Sequence, residues 1–300
     1  MRASRWYFAL AALAAASLFA QAQTDYSKIE IKANKLAGDL YTLDGAGGTI
    51  GVLTGPQGVF MVDTQFAPLS EKIAAKIKEI SGGQPIKYVV NTHVHGDHTG
   101  GDENFGKMGA TLIARPELRH RLAHPNPGPN GQAGTPMPDA GLPLLTYTGS
   151  LTLHMNGEVI HIYAIPRAHT DGDSIIQFVN ADVIMTGDFY RSVQFPNVDR
   201  ANGGSLAGLE AGLARVISLC GPNTRVVPGH GPIVDRNAVM AHRDVVVAMH
   251  KKISDMIKQG KTQEEVMAAK PAAEFSSRVK EIGTTDDRFV GQVYAELKAN

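Results

Sequence analysis

From residue 40 onward, short apolar runs alternate with stretches whose apolar positions recur every three or four residues. Residues 40–43, 49–53 and 59–63 are compact apolar runs parted by glycine-rich turns, a pattern that predicts three strands. Residues 68–81 carry Ile73, Ile77 and Ile80 among charged neighbours, the spacing of an amphipathic helix. The β-branched run at 86–90 predicts a strand, as does 111–114, and Pro116 opens a short helix over 116–122. Further on, Asn156-Gly157 joins strands at 151–155 and 158–165 in a hairpin, and Asn180-Ala181-Asp182 joins 174–179 to 183–186. Helices are expected at 206–219 and 236–258, with a strand at 225–227 between them. Thr262 and Glu265 have capping-box spacing at the start of another helix, and 289–297 supplies the last. Strand-rich blocks, each closed by helices, predict two mixed sheets packed inside helical layers, an α/β architecture.

Two stretches break this pattern. Residues 124–143 hold six prolines and four glycines. The strands on either side have too little material for separate cores, and a long loop in a compact domain is usually functional. This one is therefore expected to overhang a site. At the N-terminus, Arg2 and Arg5 precede a fifteen-residue apolar stretch at 6–20, and Ala20-Gln21-Ala22 supplies a small-x-small cleavage pattern. Residues 1–22 read as a secretory signal peptide cleaved after Ala22, with an apolar part short of the ~20 residues of a spanning helix. A periplasmic or secreted protein is expected, with residues 23–300 as one domain and no membrane attachment after cleavage.

Charge narrows the partners. The chain has 29 basic and 29 acidic residues; without residues 1–22 the counts are 27 and 29, a net charge of −2. That balance gives no electrostatic footprint for nucleic acid or an anionic membrane, so a small-molecule substrate is the expected partner. The single cysteine, Cys220, excludes an internal disulfide and reads as a small buried residue at a helix end.

The chemistry concentrates in Asn91-Thr92-His93-Val94-His95-Gly96-Asp97-His98, directly after the strand at 86–90. On a strand, alternate residues share a face, so His93 and His95 can point the same way. A tight turn at Gly96 can then swing Asp97 and His98 toward a second centre. Imidazole and carboxylate are donors that Zn2+ takes, and two neighbouring ions, each drawing on part of this cluster, is the natural reading. Four ligands on one turn cannot close two sites. His169 follows the strand ending at 165, and His230 follows the strand at 225–227 in Pro228-Gly229-His230-Gly231, where glycines let the backbone approach a centre closely. Asp188 ends another apolar strand, and its carboxylate can bridge two ions. Of the other histidines, His242 and His250 sit among charged residues on the long helix and are expected to be solvated. His154 and His161 are expected to be hydrogen-bonded strand positions. His120 and His124 have helical metal-pair spacing, but Arg115, Arg119 and Arg121 beside them would repel a cation.

In order, His-x-His-x-Asp-His at 93–98, then His169, Asp188 and His230, the set resembles the metallo-β-lactamase-fold hydrolases over nearly the whole chain beyond the signal peptide. The resemblance implies an αββα sandwich with a dinuclear zinc site at the sheet edges. One zinc would take His93, His95 and His169, and the other Asp97, His98 and His230, with Asp188 bridging. Zinc-cysteine β-lactamases carry Cys where this chain has Asp188, and another lactamase subclass with His-x-His-x-Asp-His uses no bridging Asp. Asp188 is what the wider family shows: thioesterases, lactonases and phosphodiesterases. In the zinc-cysteine enzymes a Lys three residues past the metal Cys binds the substrate carboxylate. By that resemblance Arg191 would form a bidentate pair with an anionic substrate group.

The expected cofactor is two Zn2+ per chain. Two zinc ions sharing a water would lower its pKa toward neutrality, and Asp97 would orient the resulting hydroxide. Asp63, at the end of the strand at 59–63, is placed to hold a ligand imidazole from behind. The expected activity is hydrolysis of an acyl C–N or C–O bond, with a β-lactam or lactone ring as the substrate. Three alternatives stand beside it: an iron enzyme of oxygen or sulfur chemistry on the same scaffold, a phosphodiesterase or thioesterase, and a periplasmic metal-binding protein without catalysis. A glutathione thioester is disfavoured, because that substrate is cytosolic and the chain carries an export signal.

Overall fold

The computed structural model describes residues 24–128, 130–279 and 285–299, so the expected signal peptide lies outside the described residues. Strands β1 (Lys32–Ala37), β2 (Leu40–Asp44), β3 (Ile50–Leu53) and β4 (Val59–Val62) lead into helix α1 (Ser70–Ile80) and strand β5 (Ile86–Val90). Short helices α2 (Gly96–Thr99) and α3 (Asp102–Lys107) follow, then β6 (Thr111–Ala114), α4 (Pro116–Ala123) and β7 (Leu145–Thr146). Next come β8 (Ser150–Met155), β9 (Glu158–Ala164), β10 (Ser174–Phe178) and β11 (Val183–Met185). Helix α5 (Leu206–Leu219), strand β12 (Arg225–Val227) and helices α6 (Arg236–Lys258), α7 (Gln263–Ala268) and α8 (Thr285–Ala299) complete the order. Strands β1 to β7 form one sheet in sequence order, and the second runs β12-β11-β10-β9-β8. Both are mixed: β4 to β7 are parallel in the first, and β11 pairs parallel with β12 in the second.

Period-two alternation sends the side chains of each central strand into two different cores. From β4, Phe60 and Val62 meet Ile160, Ile162, Ile176 and Phe178 between the sheets. Val59 and Met61 of the same strand face Ile73 and Ile77 of α1 and Phe105 of α3. In the second sheet, Ile175 and Ile184 pack outward on Leu209 and Leu213 of α5, Met249 of α6 and Phe289 of α8. The layers are therefore helix, sheet, sheet, helix, the αββα sandwich expected. Strands covered on both faces are apolar throughout, which is why 59–62 reads as an unbroken apolar run.

Local signals hold where they have a mechanism. Asn156 and Gly157 both adopt positive φ, 54° and 75°, as a two-residue hairpin turn demands. Thr262 and Glu265 make the reciprocal capping box of α7, and the Asp235 side chain accepts the Ala238 N–H at the start of α6. Departures cluster where burial is partial or tertiary packing decides. Strand β1 is an edge strand with no fully buried residue, so it carries no apolar alternation to read. Strand β5 stops at Val90, so His93 and His95 leave it on a loop, and Gly96 opens α2 where a tight turn was expected. Among the described residues, no helix is long and apolar enough to cross a membrane.

Candidate metal centre

Strand ends from both sheets meet at one edge of the sandwich. His93 to His98 follow β5, His169 lies in the connection from β9 to β10, Asp188 follows β11 and His230 follows β12. Because β11 and β12 are parallel, the loops carrying Asp188 and His230 leave side by side, and Gly229 N–H donates to the Gly187 carbonyl at 2.9 Å. Gly229 is required by proximity: a Cβ there would overlap the Asp188 carboxylate.

The structure brings all seven expected ligand residues together in two groups that share Asp188. Donor atoms of His93, His95, His169 and Asp188 lie within 4.8 Å of one another, and so do those of Asp97, His98, His230 and Asp188. Asp188 divides its oxygens between the groups. Its Oδ2 is 3.9 Å from both His93 Nε2 and His169 Nε2, and its Oδ1 is 3.3 Å from His98 Nε2 and 3.4 Å from His230 Nε2. His93, His98, His169 and Asp188 are sealed, while the side chains of His95, Asp97 and His230 are 24%, 23% and 27% exposed. The centre therefore opens to solvent on the side of these three.

What stands behind four of the five imidazoles fixes the tautomer, because a carboxylate or carbonyl can only accept. His98 Nδ1 donates to Asp63 Oδ2 at 2.7 Å, and His169 Nδ1 to the Asn197 carbonyl at 2.6 Å. His95 Nε2 donates to Asp199 Oδ2 at 2.7 Å. Thr92 gives its hydroxyl proton to Asp63, so its oxygen accepts from His93 Nδ1 at 3.1 Å. In every case the remaining nitrogen faces the centre, where it would offer a lone pair to a metal ion. His95 Nδ1 and His169 Nε2 stand 2.9 Å apart as two such lone pairs. His93 Nε2, His98 Nε2 and Asp188 Oδ1 are buried without a hydrogen-bond partner. Converging buried lone pairs of this kind are costly unless a cation sits among them, so the donor set fits two metal ions.

Charge points the same way. Burial, with the neighbouring His98, pushes the His93 pKa well below the ordinary value, and burial beside His95 takes His169 down to about 4. Both are neutral imidazoles, the form that binds a metal. For Asp188, burial opposes ionisation, but His98, His230 and His93 hold its carboxyl well below the usual range. His98 is raised well above 6.5 against its burial by Asp188 and Asp63. A buried site that stabilises negative carboxylates and draws protons onto imidazoles is one that attracts cations.

Asp63 lies behind His98, and it does so in the left-handed region at φ 61°, with its other oxygen accepting the Thr92 N–H at 2.7 Å. Strained backbone of this kind persists where surrounding contacts over-determine it. Arg191 is placed otherwise than its resemblance-based role implies. Its Nε donates to Asp188 Oδ2 at 3.0 Å, its Nη2 bonds the same oxygen, and its Nη1 donates to Gln194 at 2.6 Å. The guanidinium thus backs the shared carboxylate. His242 and His250 also differ from expectation. His242 is buried with its ring edge-on to Tyr190, and His250 bonds Glu210 at 2.7 Å, because α6 turns both toward neighbouring elements. His161 does bond across the hairpin to Thr152, at 2.9 Å.

Sequence reasoning missed the group that positions His95 and His169. Asp199 caps the turn at Arg200–Asn202, a local signal that looks purely structural, and Asn197 offers only a backbone carbonyl. Their loop is gripped from α8. The Gln292 side chain accepts from Val198 N–H at 3.0 Å and donates to Asn197 Oδ1 at 2.7 Å. Contacts spanning some 95 residues leave no trace in local spacing.

Layering and residue set together define an αββα scaffold with two candidate metal clusters at one edge. Sequence comparison assigns the family: the metallo-β-lactamase superfamily profile matches residues 43–233, and the chain belongs to that superfamily. The match ends before α6, so α6 to α8 lie outside it. No curated protein shows significant sequence similarity. Among solved structures, a metallo-β-lactamase from Pontibacter korlensis superposes with a TM-score of 0.61 at 18% identity, over 73% of this chain and 99% of that one. The DIM-1 metallo-β-lactamase gives 0.60 at 18%, over 73% and 99%. A double mutant of the sec-alkyl sulfatase PisA1 gives 0.63 at 15%, over 90% of this chain and 50% of that one. Likeness at these identities speaks for the fold.

Proposed function

We propose that this chain is an exported dinuclear zinc hydrolase that cleaves an acyl C–N or C–O bond, with a lactone or β-lactam ring among its substrates. The observation that carries the reading is the pair of buried ligand groups sharing Asp188, open to solvent at His95, Asp97 and His230. Imidazole and carboxylate donors favour zinc over softer or harder alternatives. Bound there, two zinc ions would acidify a shared water and polarise the scissile carbonyl.

The chain's own residues supply the rest. Asp97, at the open side and bonded to His230 Nε2 at 3.0 Å, keeps its carboxylate ionised through that bond despite partial burial. It orients the attacking water and takes its proton. Water then adds across the acyl bond: its oxygen goes to the acyl carbon, one proton to the leaving nitrogen or oxygen, and the other through Asp97 to solvent. Asp63, Asp199 and the Asn197 carbonyl keep three imidazoles in the ligating tautomer. The test is metal analysis of the mature protein followed by assays on lactones, esters and β-lactams. Two zinc ions per chain with turnover are expected. One ion or fewer after zinc resupply, iron in place of zinc, or two tightly held ions with no turnover each overturn the reading. His169→Ala should empty the first site preferentially and His230→Ala the second.

A further inference from the structure

A cleft of ≈ 560 Å³ adjoins the open side of the metal centre, with His95, Gly96 and Asp199 in its wall. The opposite wall comes from the proline- and glycine-rich strap after α4, the stretch expected to overhang a site. Its Pro125, Pro127, Pro136, Met137 and Pro138, with Leu122 of α4, present the apolar surface.

Arg121, Asn126, Asn202 and Asp199 of the same cleft are bonded to neighbouring protein groups. Arg121 is held bidentately by Asp171, Nε to Oδ1 at 2.7 Å and Nη2 to Oδ2 at 2.6 Å. Its Nη1 donates to the Ala201 carbonyl and to Asn202 Oδ1. Asn126 Nδ2 reaches the same two oxygens at 2.9 and 3.1 Å, tying the strap across to that loop. Asn202 Nδ2 donates to Asp199 Oδ2, which also takes His95. Arg121 is thus neutralised by Asp171, Asp199 repels anions, and Arg191 is turned to Asp188 and does not line this cleft. A substrate carboxylate brought here would lose water with no cation waiting for it, whereas an alkyl chain or ring would bury its surface against the prolines.

We propose that this cleft is the subsite for an uncharged apolar group on the acyl side of the scissile bond. The substrate class is then neutral esters or lactones bearing an aliphatic or aromatic substituent, in preference to rings that carry a carboxylate. This rests on the hydrolase reading. The cleft volume lies in the range of small-molecule sites, enough for a medium-length chain or a single ring system. Affinity or kcat/KM should climb about fourfold for each methylene that enters the cleft.

The experiment uses the zinc-loaded mature chain and two matched series of p-nitrophenyl esters, straight-chain acyl groups from acetyl to octanoyl and the same lengths ending in a carboxylate. Binding of octanamide and of its ω-carboxylate analogue is measured alongside by calorimetry, which needs no turnover. Rising kcat/KM along the neutral series, with the carboxylate series at least tenfold poorer at equal length, is the expected result. Met137→Lys, checked for retained metal and fold, should invert the preference by setting an unpaired cation in the wall. A flat neutral series, a carboxylate series equal or better, or a Met137→Lys variant that shifts neither series overturns the subsite. Absence of turnover with the expected binding preference would instead count against hydrolysis and leave the subsite standing.

Discussion

Gln292 of α8 holds Asn197 by a 2.7 Å hydrogen bond, and Asn197 in turn accepts from the His169 imidazole through its backbone carbonyl. Two residues on, Asp199 holds His95. The last helix therefore sets the loop that aims two of the three imidazoles in the first ligand group. Direct partners of ligand imidazoles typically change metal affinity by about 10–100-fold. Gln292 acts one bond further out, so Gln292→Ala should weaken the first site by roughly tenfold, read by chelator competition. Gln292→Glu, which keeps the acceptor for Val198 N–H, should fall between the two. Lower thermal stability with unchanged metal affinity would mean that Gln292 only packs the helix.

Asp63 offers a cleaner separation of charge from backbone. Asn tolerates positive φ nearly as well as Asp, so Asp63→Asn should keep the turn at φ 61° intact. What it loses is the carboxylate that takes both the His98 and Thr92 protons. Affinity of the second site should drop by about 10–100-fold in free-zinc titrations, with the circular dichroism spectrum unchanged. Full zinc retention would show that Asp63 serves the loop alone.

Asp97→Asn tests the proton acceptor. With both metals still bound, kcat should fall on the order of a hundredfold or more while KM changes little, since the defect lies in orienting and deprotonating water. A variant that keeps two metals and near-normal kcat would remove Asp97 from that role. Loss of the second metal would show that its ligand role comes first.

The seven clustered positions were legible because each follows a strand whose apolar run is visible, and because strands of one sandwich end on a common edge. The layering was legible for the same reason: β4 is apolar on both faces, as a strand covered on both sides must be. What could not be read were relationships carried by tertiary contact alone. Asp199 shows only its turn-capping role locally, yet its partner His95 lies 104 residues away. Arg191 shows what a spacing argument leaves open: three residues past Asp188 is also the reach at which a guanidinium folds back on the carboxylate, as it does here. His242 was misjudged because its sequence neighbours on α6 are charged, whereas the helix turns this residue inward against Tyr190.

That buried histidine has a consequence in acid. Burial alone depresses the His242 pKa to about 4 from the ordinary 6.5. The unfolded chain then binds one more proton than the folded chain between these two values, so stability must rise with pH across that window. The contribution is intact above pH 6.5 and is lost as pH falls toward 4. By linkage the folded protein should lose about 2 kcal/mol between pH 7.5 and 5 from this residue. His242→Leu removes the titration while keeping an apolar side chain against Tyr190. All other ionisable groups are common to both proteins, and the comparison of denaturation curves therefore isolates His242. The two proteins should diverge as pH falls, with the variant holding its stability better at pH 5 than wild type. Parallel curves across pH 5 to 7.5 would mean that His242 finds solvent or a partner when it is protonated, and that its burial is not rigid.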